Sequence, residues 1–184
     1  FCWHVLPGSD SGTTVVLCLV SVAVLGVAVA AAHERWAPEL ADPWRELGAA
    51  FLLVGLFIAA LPFVDGGVDW SPTLAVGLAV VATAAVLAML ITAGETRWEV
   101  AGAAVAALAG TALVAWQTGT DLGFDSTSDT VSATDVLHST VSVAVYVVVA
   151  VGVAVVGALR ESWRLTALAT VGLVVFTTFQ SFSV

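Results

Sequence analysis

Asp135, His138, Ser142 and Tyr146 are the residues of this sequence best placed to do chemistry. Their spacings of three, four and four put them on one face of an α-helix, in a run otherwise made largely of Val, Ala, Gly and Leu. Asp135 and His138 lie about one turn apart, close enough to interact directly. Tyr146 lies roughly 16 Å from Asp135 at about 1.5 Å per residue, near mid-membrane if the helix spans a bilayer. A stripe of ionisable and hydroxylated side chains in an apolar helix is a functional-site hypothesis by default in a membrane. Gln117, at the end of the preceding apolar run, and Thr177, Thr178, Gln180 and Ser181, near the end of the last, bring polar groups to the same outer half. Together they suggest a hydrated funnel open to the outside.

Three readings fit such a funnel. It is a substrate or ion pathway with His138 as the titrating group. Or it holds a metal through His138, Asp135, loop aspartates and His4, serving hydrolysis of a lipid or amide. Or the stripe is interhelical hydrogen-bond glue without chemistry. The third is the default expectation. Zinc catalysis usually needs three protein ligands and an open position, HExxH is absent, and the three histidines are far apart in sequence. Asp121, Asp125 and Asp129 recur every four residues but lack the DxDxDG spacing and closing Glu of a calcium hand, so they read as a solvated loop. No mid-run Gly/Pro break in one helix pairs with an equivalent break in another, the usual pointer to a transporter site. Charges are absent from every helix centre. Glu34 and Glu39, and Glu95 and Glu99, sit beside Arg at helix ends and read as a solvated rim. GxSxG, P-loop and GxGxxG motifs are missing. The expectation is therefore no catalytic residue, no metal and no cofactor.

The elements that must carry this stripe follow from composition. The 184 residues are 60% hydrophobic and 10% charged, with mean hydropathy +1.05, far from the about 45–50% apolar and about 25% charged of soluble domains. Apolar runs near the length of a membrane span recur along the chain. Five Arg and no Lys stand against 14 Asp and Glu, an acidic, Ala/Val-rich balance resembling that of extreme halophiles. It argues against a nucleic-acid partner, since little here could neutralise a row of phosphates. Cys2 and Cys18 form no CxxC motif, and Cys18 reads as a small buried apolar residue.

The expected fold is all-α: a polytopic membrane protein of six helices in one domain over 1–184, built from three antiparallel hairpins. The helices are expected at about 14–32, 45–63, 72–93, 98–117, 135–159 and 163–183. Pro38 and Pro43 shape the first connection, Ser71-Pro72 opens the third helix, and Gly94 follows its end. All five Arg (Arg35, Arg45, Arg97, Arg160, Arg164) lie in connections 1–2, 3–4 and 5–6, which the positive-inside rule makes cytoplasmic. Asp10, Asp65, Asp69, Asp121, Asp125, Asp129 and Asp135 fall on the other face. Trp36, Trp44, Trp98 and Trp163 mark the Arg-bearing ends, and Trp3, Trp70 and Trp116 the opposite ends, as headgroup belts do. Location in the plasma membrane with both termini outside is the expectation. An outside N-terminus sits awkwardly with a chain that opens on Phe1 and shows no export signal, and two readings stay open: an upstream helix or signal, or a short N-terminal tail translocated unaided.

Helix contact in lipid depends on small residues. Gly102, Ala106 and Gly110 form a small-xxx-small ladder, repeated in shorter form by Gly26 and Ala30 and by Gly55 and Ala59. Helix four is the expected centre of the bundle. Trp44-Arg45, Arg97-Trp98 and Trp163-Arg164 each open an even-numbered helix, a faint repeat that the belt and charge rules already explain. Arg45-Glu46-Leu47-Gly48 and Asp135-Val136-Leu137-His138 resemble the acidic-Leu-Gly and Asp…Leu-His steps of the DRAM/Frag group of membrane proteins. That resemblance covers about a dozen residues, sets the His step on the fifth helix rather than the fourth, and implies a helical membrane fold without a particular chemistry. The expected function is a non-enzymatic structural or accessory membrane component. Small-molecule or ion permeation is the alternative, and a metal-dependent membrane hydrolase the third reading. The lipid bilayer is the expected partner; a homo-oligomer or a partner membrane protein is compatible with the sequence.

Overall fold

The computed structural model describes residues 12–61, 70–119 and 133–183, with side chains over 12–61, 70–116 and 136–181. Cys2, His4 and the aspartates at 10, 65, 69, 121, 125 and 129 lie outside the described residues. Among the described residues six α-helices follow one another: α1 (Gly12–His33), α2 (Pro38–Ala59), α3 (Pro72–Ile91), α4 (Glu95–Gly119), α5 (Ala133–Leu159) and α6 (Trp163–Ser183). Four of them, α1, α3, α4 and α5, are long and apolar enough to cross a membrane.

Most ends fall where local chemistry puts them. The Ser71 side chain accepts the Leu74 N–H at 3.1 Å, ahead of Pro72 in the first turn of α3, where proline's missing donor is harmless. Gly94 takes a φ of 64°, the left-handed turn that separates α3 from α4 and suits glycine. Helix α2 begins seven residues earlier than expected. Pro38 starts it, where the N–H would have no partner in any case, and Pro43 is carried inside at the loss of one hydrogen bond, to the Glu39 carbonyl in the first turn. Helix α5 stops at a left-handed Glu161 (φ 54°), with Glu161 N–H bonded to Ala158 O at 3.3 Å and Ser162 N–H to Gly157 O at 2.8 Å. This is a Schellman closure, and it presents Arg160 at the helix cap.

The centre of the fold is α1, not α4. Helix α1 packs most extensively on α2, then on α4 and α3, while α5 packs chiefly on α6. Val16, Val20, Val24 and Val27 of α1 form a core with Ala85 and Ala88 of α3 and Val100, Ala103, Ala107 and Val114 of α4. The reason is the charge-free length of α1, whereas α4 opens with Glu95, Arg97 and Glu99 and leaves Val105 and Leu108 exposed. Of the ladder on α4, Ala106 is buried and Gly110 meets Leu56, but Gly102 is exposed with nothing against it. The small residues of α1 and α2 do bring backbones together: a Cβ on Gly48 would stand 2.9 Å from the Ala23 carbonyl oxygen, and one on Gly26 3.1 Å from Gly48 Cα. A second core joins Leu52, Leu53 and Leu56 of α2 to Ala106, Tyr146, Ala150 and Phe176.

Candidate functional site

Within the stripe, α5 brings three described side chains against its neighbours. His138 Nε2 lies 3.3 Å from the Leu113 carbonyl oxygen of α4, so a proton on Nε2 is donated there. The imidazole also meets Trp116 edge-on, with ring centroids 5.5 Å apart. Ser142 is 1% exposed and its Oγ makes no hydrogen bond. Thr111, Thr140, Thr177 and Ser181 all donate to a carbonyl of their own helix; Ser142 does not. Tyr146 is buried, its ring stacked on Phe176 at 3.9 Å and 11°. Phe176 in turn meets Phe57 of α2 edge-on at 6.0 Å. A Cβ at Gly172 would approach the Tyr146 hydroxyl to 3.0 Å, so α6 admits the phenol only by presenting glycine there. The stripe thus runs from a half-buried imidazole to a sealed phenol.

The other candidates stand apart. Thr177 is exposed and donates to Leu173 O at 2.9 Å within its own helix. Gln180 is half-buried and engaged. The side chains of Asp135 and Gln117 lie outside the described residues. Among the described residues no three His, Cys, Asp or Glu side chains converge as a metal site would require.

At the Arg-bearing end is a constellation that the solvated-rim reading misses. Glu99 of α4 accepts from Arg45 Nε of α2 at 2.9 Å through Oε2 and from Arg160 Nε at 2.7 Å through Oε1. Glu34, just past α1, pairs with Arg160 Nη1 and lies 3.7 Å from Arg45 Nη2. Two guanidiniums and two carboxylates therefore alternate around a ring, joined by hydrogen bonds on three sides and on the fourth by the 3.7 Å Arg45–Glu34 ion pair, where Arg45 Nη2 makes no hydrogen bond. Thr96 braces it, accepting from Arg160 Nη2 at 2.8 Å and donating to Glu34, and Asp42 holds Arg45 Nη1 at 2.8 Å. The side chains of Arg45 and Glu99 are only 5% and 9% exposed, which corrects the rim assignment for Glu99; Glu34, 29% exposed, departs from it by its pairing with Arg160, while Glu39 and Glu95 are exposed as a rim requires.

The reason is geometric. Arg45 lies on the same face of α2 as Gly48 and Leu52, which pack inward, and Glu99 continues the Ala103–Ala106–Gly110 stripe of α4. A charge on an inward stripe must find a counter-charge. Burial alone would raise the Glu34 pKa, but the Thr96 hydrogen bond and the charges of Arg160 and Arg45 outweigh it and hold the carboxyl below its ordinary value. Burial works against the charge of Arg160 too, and Glu99 and Glu34 more than compensate, raising its pKa further. The signal for this ring was the pairing of inward face with charge in α2 and α4. The faint repeat does not predict it, since Arg45 is buried while Arg97 and Arg164 are exposed.

The chain matches no family model, no curated protein and no solved structure. The likeness to the DRAM/Frag group accordingly rests on the two quoted motifs alone.

Proposed function

We propose that this chain is a multi-pass protein of the plasma membrane and acts there as a non-enzymatic structural or accessory component. In this reading all six helices span the bilayer as three antiparallel hairpins, with the Arg-bearing ends in the cytoplasm and the Asp-rich connections and both ends of this chain outside. Helices α2 and α6, at 22 and 21 residues, reach about 30 Å or more at 1.5 Å per residue, the thickness of a hydrocarbon core. Large apolar side chains are exposed along the helix middles, among them Val80, Leu87, Val105, Leu108, Val148 and Val155, while Trp36, Trp98 and Trp163 are exposed at one end and Trp70 at the other. Apolar area on that scale suits lipid rather than water.

The observation that carries the structural role is the state of the stripe. Tyr146 is stacked between helices and His138 faces a backbone carbonyl, the behaviour of interhelical contacts. The test compares purified wild type with His138→Ala and Tyr146→Ala in micelles and in liposomes. The account expects lower thermal stability for both variants and no protein-dependent proton or ion flux for any of the three. A pH-dependent flux that His138→Ala abolishes while the fold persists would overturn it.

Permeation is the second reading, and Ser142 is what favours it. A fully buried hydroxyl without a partner costs roughly 1–3 kcal/mol, and a hydrated path beside α5 would supply the missing partner.

A further inference from the structure

Helices α5 and α6 pack mainly on each other, and their contacts with α2 and α4 are less extensive than those of α1 with α2 or α4. The pair is itself stiffly joined: a Cβ on Gly157 would meet Thr166 N at 2.8 Å and Leu165 Cβ at 3.0 Å, so the two helices touch closely at their shared turn. From that turn Arg160 reaches Glu34 beyond α1 and Glu99 and Thr96 on α4. Without Arg160, Arg45 still binds Glu99 and Asp42. The ring therefore divides into a fixed half, held among α1, α2 and α4, and a single inserted side chain from α5–α6.

We propose that the ring is a releasable clasp in which Arg160 is the pin: withdrawing it lets the α5–α6 pair separate from α2 and α4 at the Arg-bearing end while the core around α1 stays closed. Alternating charge makes the closed position specific, because a displaced guanidinium would face Arg45 or lose both carboxylates. Ala150, ten residues and about 15 Å along α5 from Arg160, reports on this movement where the opening reaches the core. It is 2% exposed and lies in the core shared with Leu52, Leu53 and Ala106. Cys18 on α1, fully buried, reports on loosening of the whole fold.

The experiment measures labelling of full-length protein by a water-soluble maleimide in micelles. One background is Cys2→Ser/Cys18→Ser/Ala150→Cys, and the other is Cys2→Ser with native Cys18. Each is made with Arg160, Arg160→Gln and the milder Arg160→Lys. The clasp predicts labelling at position 150 at least about tenfold faster in Arg160→Gln, as when charge-assisted hydrogen bonds holding a closed state are removed. Arg160→Lys should fall between, with Cys18 protected throughout. Unchanged labelling at position 150 in both variants overturns the proposal. Equal acceleration at Cys18 overturns it too, since Arg160 would then hold the entire fold and not one closure.

Discussion

Replacing Glu99 by Gln should be among the costliest single-charge changes at the Arg-bearing end. Glu99 is 9% exposed in its side chain and serves two guanidiniums at 2.9 and 2.7 Å through separate oxygens. After Glu99→Gln, Arg45, itself 5% exposed, keeps only Asp42, whose side chain is 62% exposed, and Glu34 at 3.7 Å. Arg160 keeps Glu34 and Thr96. Removing one partner of a buried pair and stranding the other typically costs about 3–5 kcal/mol. Glu95→Gln makes the same chemical change one turn earlier on α4, at an exposed residue, and should stay within about 0.5 kcal/mol. Denaturant or SDS-titrated unfolding of the two variants in mixed micelles measures the difference directly. Repeating it at high salt should leave the gap nearly intact, because buried pairs are screened far less than exposed ones. A cost for Glu99→Gln below about 1 kcal/mol, the worth of an exposed pair, would refute the buried ring.

Two further outcomes follow from the packing and the charges. Gly48→Ala drives a Cβ to 2.9 Å from the Ala23 carbonyl oxygen, whereas Gly102→Ala meets nothing within 4 Å. The first should therefore lower stability by about 1–3 kcal/mol through overpacking, and the second should raise it by up to about 1 kcal/mol through helix propensity; the same unfolding assay reads both signs. The Glu34 carboxyl is held below its ordinary 4.5 by Thr96, Arg160 and Arg45 against the effect of burial. A depressed folded-state pKa gives stability that is complete above the unfolded value and is lost as pH falls through the folded one. Thermal midpoints should thus be insensitive to this group at neutral pH and fall below pH 4.5, with a shallower fall in Glu34→Gln.

Much of the fold was legible because periodicity and end chemistry are local. Ser71-Pro72 and Gly94 mark their boundaries by the conformations they favour, and α3, α5 and α6 begin or end where the apolar runs do. The early start of α2 was hidden because two prolines suggest a connection, while Pro38 and Pro43 both fall where few hydrogen bonds are forfeited. The centre of the bundle was misread for a related reason. Small residues permit close approach without compelling it, and Gly102 shows a small residue left exposed. In the stripe, the sequence placed His138, Ser142 and Tyr146 on one face, but the ring of Phe176 and the bare Gly172 that receive Tyr146 come from another helix and carry no local mark. The ionic ring draws on α1, α2, α4 and the α5–α6 turn, with partners up to 126 residues apart. Only the coincidence of Arg45 and Glu99 with inward faces hinted at it.

The most direct test of the account is the number and sense of membrane crossings. Single cysteines at Glu39, Asp65, Thr73, Glu95, Glu161 and Ser181, in a Cys2→Ser/Cys18→Ser background, would be labelled on intact cells with an impermeant maleimide and again after permeabilisation. The account predicts that positions 65, 73 and 181 react on intact cells and that 39, 95 and 161 react only once the membrane is opened. Labelling of 39 and 65, or of 161 and 181, from the same side would mean that α2 or α6 does not cross, and would contradict it.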